Sequence, residues 1–179
     1  MPSTNIRPAA LLRPIIVATL VAAVLDAAFS FVAYVVIDGR YNFESLLQYI
    51  ASGLLGHEAF THAGATGWLV AVLGFALHVL ITLTVVLVYT AVLRPFARTR
   101  GRQVALGLLY GAAVWMFNTA VVLPLSGAAH EPFFAGWYIP FLIDHMLLVG
   151  LPIALFLGRR DSARHSPSAR PGSLVAGVA

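Results

Sequence analysis

Four stretches of this chain, roughly Pro14 to Ile37, Gly67 to Leu93, Gln103 to Leu125 and Trp137 to Gly158, are long, apolar and almost free of charge. A helix needs about 20 predominantly apolar residues to cross the hydrocarbon core of a bilayer, where every backbone polar group must be bonded within the segment. The pattern specifies an all-α, integral membrane four-helix bundle and excludes a water-soluble globule. Composition agrees: of 179 residues, 60% are hydrophobic and 10% charged, against about 25% charged in an ordinary soluble domain.

The arginines carry the topology. Arg7 and Arg13 lead the first stretch, Arg94, Arg98, Arg100 and Arg102 fill the second link, and Arg159, Arg160, Arg164 and Arg170 follow the fourth stretch, while Arg40 stands alone on the other side. By the positive-inside rule both termini and the second link are cytoplasmic, and the first and third loops face outward, which in a bacterium is the periplasm. This placement accounts for the net charge of +4, so the partner expected is the lipid bilayer and not nucleic acid. Trp68, Trp137, Tyr138 and Tyr41 cluster at the proposed outer interface, as an aromatic belt should. The first stretch is about twice the length of a signal-peptide apolar region, and Asp26 or Leu25 would occupy the position three residues before a cut, so it reads as an anchor. The spans form one domain over residues 1–160, and the Arg-, Ser-, Pro- and Gly-rich residues 161–179 read as a disordered cytoplasmic tail. With no cysteine, disulfides, thiolate metal sites and cysteine nucleophiles are excluded.

The first outer loop has a helix of its own. Phe43, Leu46, Leu47, Ile50 and Leu54 recur at helical spacing, with Glu44, Gln48 and Ser52 on another face, and Asn42 and Gly56 offer a cap and a stop. Phe43–Leu55 is too short to span, so it is an amphipathic helix lying at the outer surface or dipping into it.

Each span carries polar groups: Asp26 in the first, His78 in the second, Asn118 in the third, and Asp144 with His145 in the fourth. Ionisable residues in hydrocarbon are costly and invite a functional hypothesis. At about 1.5 Å per residue all five fall between the outer surface and the midplane, which predicts one polar layer. Small residues share their faces: Thr19, Ala22, Asp26, Ser30 and Ala33 in the first span, Gly67, Ala71, Gly74, His78 and Thr82 in the second, and Gly107 and Gly111 two turns before Asn118. Such stripes let helices approach closely in lipid, so the polar groups should face other helices.

Several chemistries fit an Asp/His/Asn layer. Asp26 beside His78 makes a proton relay or a packing hydrogen bond; His78 and His145 on separate helices match the axial ligands of a b-type haem; and His78, His145, Asp26 and Asp144 are suitable ligand types for a divalent metal. On the outer side, His57, Glu58, His62, His130 and Glu131 lack metal-protease spacing, because His62 falls one residue late for an i, i+4 pair with His57. They read as solvated loop residues. Pro124, Pro140 and Pro152 are positions for kinks, and the fourth span is the expected moving part.

The run Leu47–Gln48–Tyr49–Ile50–Ala51–Ser52–Gly53–Leu54–Leu55–Gly56, the mid-span His78, the exit Leu123–Pro124–Leu125–Ser126, and His145 followed by Gly150–Leu151–Pro152 resemble a set of small, uncharacterised four-span bacterial inner-membrane proteins that includes the YagU type. The resemblance covers roughly residues 14–158 and implies a location and a fold, with no activity. The expectation is a non-enzymatic inner-membrane protein without a resident cofactor, its buried polar network structural or pH-responsive. The alternative is a haem- or metal-binding redox protein. A transport role would require a homodimer or a membrane-protein partner, because four spans without an internal repeat do not build a pathway alone.

Overall fold

The computed structural model describes residues 9–130 and 135–158, and every regular element among them is helical. Four helices are long and apolar enough to cross a membrane: Leu11–Ile37, Gly64–Phe96, Arg100–Leu125 and Tyr138–Leu157, here spans 1 to 4. The proposed tail, residues 161–179, lies outside the described residues, as do Glu131 and the side chain of His130. Spans 2 and 3 run further toward one another than apolarity alone predicts. The Thr99 hydroxyl accepts from the Arg102 backbone N–H and starts span 3 at Arg100, so basic residues that read as link belong to the helix.

Span 4 lies against all three of the others. Its closest neighbour is span 3, because Gly107, Gly111 and Gly150 leave no side chain between the two backbones. A Cβ at Gly111 would collide with the His145 carbonyl, and one at Gly150 with the Gly107 carbonyl. Below this contact Ala18, Ala22, Val86, Tyr89, Val149, Ile153, Ala154 and Leu157 form a core from spans 1, 2 and 4 that is aliphatic but for Tyr89. Above it Ala33, Tyr34, Leu46 and Phe141 form a second core, with Tyr34 stacked on Phe141 at 5.2 Å and Phe29 edge-on to Phe141 at 5.1 Å. The Tyr110 hydroxyl donates to the Val85 carbonyl at 2.6 Å and ties span 3 to span 2.

Each span contains a widened π-helical turn: Val32–Ile37, Tyr89–Leu93, Asn118–Val122 and His145–Gly150. Three have a visible cause. Pro95, Pro124 and Pro152 each follow two residues after such a turn ends. Proline cannot donate to the carbonyl four residues back and its ring crowds that carbonyl; a wider turn relieves the clash without breaking the helix. The wide turn that begins at His145 is thus placed by Pro152.

The connecting helix, Phe43–Leu55, starts and stops where its sequence predicts. Asn42 and Ser45 exchange side-chain-to-backbone bonds at 2.8 and 3.0 Å, and Gly56, at φ 59°, ends it in a conformation other residues rarely adopt. Its facing differs from that of a helix resting on a water-covered surface. Gln48 and Ser52 are buried, whereas Phe43 and Leu54 are exposed. Gly67 and Gly74 of span 2 admit it so closely that a Cβ at Gly74 would meet the Leu47 carbonyl. Gln48 then donates to the Gly67 carbonyl at 3.2 Å. Leu46, Leu47 and Ala51 are buried on the same side, so the inward face is mixed, and the buried amide of Gln48 finds its partner there.

Gly111→Ala should therefore destabilise the detergent-solubilised protein by about 1–3 kcal/mol, the usual cost of forcing extra volume into a packed contact. Gly53→Ala, with nothing within 4 Å of the new methyl, should leave stability unchanged or raise it by up to about 1 kcal/mol through helix propensity. Thermal melting of the two variants checks both.

Candidate functional site

Between the aromatic core and the aliphatic core, four ionisable side chains from three spans meet. Asp26 follows Ala22 by one turn of span 1, His78 sits one turn before Thr82 on the small stripe of span 2, and Asp144 and His145 lie at the entrance to the wide turn of span 4. His78 Nε2 is 3.7 Å from Asp26 Oδ2, His145 Nδ1 is 3.9 Å from Asp26 Oδ1, and His145 Nδ1 is 3.2 Å from Asp144 Oδ2. One donor atom each from Asp26, Asp144 and His145 lie within 4.8 Å of one another. The small stripes of spans 1 and 2 make this possible by bringing the backbone of one helix to the side chains of the other.

The imidazole hydrogens are already engaged. His78 Nε2 lies 3.0 Å from the Ala23 carbonyl, and His145 Nδ1 lies 3.0 Å from the Phe141 carbonyl one turn back. A carbonyl only accepts, so each of these nitrogens donates its hydrogen there. The carboxylates are left short of donors. Asp144 is 2% exposed, and neither of its oxygens has a hydrogen-bond partner; Asp26 Oδ1 is in the same position. The 3.2 Å contact between His145 and Asp144 is thus one of charge and proximity, off the direction in which the N–H points.

Two carboxylates with three buried, unpartnered oxygens cannot both carry charge in a low-dielectric interior without a compensating cation. A proton on a carboxylate, a proton on His78 or His145, or a metal ion between the carboxylates would supply it. Beyond the two imidazoles the surroundings are apolar: the Ala18, Val86 and Ile153 core lies on one side and the Tyr34, Phe141 and Phe29 rings on the other.

Asn118 does not join this cluster, contrary to the expectation of a five-residue layer. It is exposed, although helical spacing puts it on the face of Gly107 and Gly111. Span 4 begins only at Tyr138, whose ring meets Trp115 edge-on at 5.6 Å, and Asn118 lies almost a full turn beyond that contact. His57, Glu58 and His62 are exposed on the loop after the connecting helix and are remote in sequence from the buried group. Gln48, set by the sequence pattern on another face from the apolar residues, is buried against span 2 with bonds to Glu44 and to the Gly67 carbonyl. No family model, curated protein or solved structure matches this chain.

His78→Ala should cost about 1–3 kcal/mol, because it strips the Ala23 carbonyl and Asp26 of a buried neighbour. Asn118→Ala should change stability by no more than about 0.5 kcal/mol, as exposed substitutions do. Unfolding in mixed detergent measures both, and equal losses would contradict the placement of Asn118.

Proposed function

We propose that this chain is a non-enzymatic, multi-pass protein of the bacterial inner membrane, with both termini cytoplasmic, whose spans build a buried site for a cation from Asp26, Asp144, His145 and His78. The observation that carries this reading is the set of carboxylate oxygens without donors. A cluster serving only to lock helices together would spend its polar atoms on one another, since an unsatisfied buried group costs about 1–3 kcal/mol. Leaving Asp144 open on both oxygens at that depth is a stability loss of the kind functional sites carry. The resemblance to small four-span bacterial proteins and the one-sided arginines support the location.

Haem ligation by His78 and His145 has weaker support. Asp26 sets its carboxylate within 4 Å of both imidazoles, where a porphyrin held between two axial ligands needs a clear plane.

Two experiments test the reading. Asp144→Asn keeps the shape of the side chain, removes its charge and adds an N–H that can donate to Asp26. In the presence of a chelator this variant should melt at or above the wild-type temperature. A loss of about 2 kcal/mol or more would mean that Asp144 is a satisfied structural partner, and would overturn the cation site. The absence of cysteine makes the chain a ready background for orientation mapping. Arg40→Cys should react with an impermeant maleimide on intact spheroplasts, and Arg98→Cys only after lysis; the reverse pattern would overturn the orientation.

A further inference from the structure

We propose that the occupant of this site is a divalent first-row metal ion, held by Asp26 Oδ1, one oxygen of Asp144 and Nδ1 of His145. The inference rests on the cation-site reading and gives the cation an identity.

Three observations carry it. The first is charge. Two carboxylates present two negative charges; a dication cancels both in one step, and the other cations within reach are protons on His78 and His145, within 4 Å. The second is the donor set. Two carboxylate oxygens and an imidazole nitrogen suit zinc, manganese or ferrous iron; calcium and magnesium prefer an all-oxygen shell, and copper(I) prefers sulfur. The third is that the donors are close, and the carboxylate ones are free. They lie within 4.8 Å of one another, while ligands on a tetrahedral ion at 2.0–2.1 Å stand roughly 3.4 Å apart. A contraction of little more than 1 Å would close the shell, and the Asp144 oxygens have no hydrogen bond to lose.

The one bond given up is that from His145 Nδ1 to the Phe141 carbonyl. That carbonyl still accepts from the His145 backbone N–H, so the exchange leaves no orphaned group. Metal entry would release the Nδ1 proton, or shift it to Nε2. His78 keeps its bond to Ala23 and lies 3.7 Å from Asp26 Oδ2, near enough to become the outer partner of that ligand if its N–H turns to the carboxylate.

The test uses the full-length protein in detergent, stripped with chelator and titrated with Co²⁺, whose visible bands report its ligands. One Co²⁺ per chain is expected, with ligand-field bands of a low-coordinate site that disappear in Asp144→Asn and His145→Ala. His78→Gln should weaken binding by roughly 10–100-fold, as loss of an outer partner does. A His57→Ala/His62→Ala double variant should leave the bands unchanged, which separates the buried site from the exposed imidazoles. If wild type shows no bands while Asp144→Asn remains as stable as metal-free wild type, the metal is overturned and the cation is a proton. If Asp144→Asn is itself strongly destabilised, the cation-site reading fails with it. Bands that survive in Asp144→Asn, or vanish with His57 and His62, would place the ion elsewhere and overturn the inference.

Discussion

The contact between spans 3 and 4 is one of backbone on backbone, and the rest of the bundle depends on it. Gly107 and Gly111 face Gly150 and the His145 carbonyl with no side chain between them, so span 4 can lie against span 3 and still reach spans 1 and 2. Close van der Waals approach along small residues is a packing device suited to helices apolar enough to cross a membrane. That approach holds His145 and Asp144 opposite Asp26, and so determines that acidic and basic groups share one small volume.

The connecting helix buries Gln48 and Ser52 beside Leu46, Leu47 and Ala51 and exposes Phe43 and Leu54, so its inward face is mixed and its amide bonds to span 2. The charged cluster likewise sits inside, between two apolar layers. Proline adds another effect. Each of Pro95, Pro124 and Pro152 loosens the turn before it, and in span 4 that loosened turn starts at His145 itself. The wide turn needs no functional cause, yet it frees the His145 side chain from a regular helical register.

Much of this is legible in the residues. Span number follows from apolar length, the start and stop of the connecting helix from Asn42 and Gly56, and the inward faces of spans 1 and 2 from their small-residue spacing. Asp26, His78, Asp144 and His145 also come together where those faces meet. Asn118 shows where periodicity stops being informative: it lies on the correct face of its helix, but at a height where span 4 has not yet begun. Gln48, buried beside Leu46 and Leu47, shows that amphipathicity gives a helix two faces without fixing which residues a neighbouring helix covers. The free oxygens of Asp144 were not readable at all, since they depend on His145 donating to a backbone carbonyl and not to its neighbour.

Two carboxylates from different spans, Asp26 and Asp144, share one buried site with His145. A double-mutant cycle on Asp26→Asn and Asp144→Asn, measured by unfolding of the metal-free protein, tests it most directly. If the two groups share one site, neutralising either relieves the other, and the pair should depart from additivity by about 1 kcal/mol or more. Stability changes that add to within about 0.5 kcal/mol, as for residues without shared partners, would contradict it.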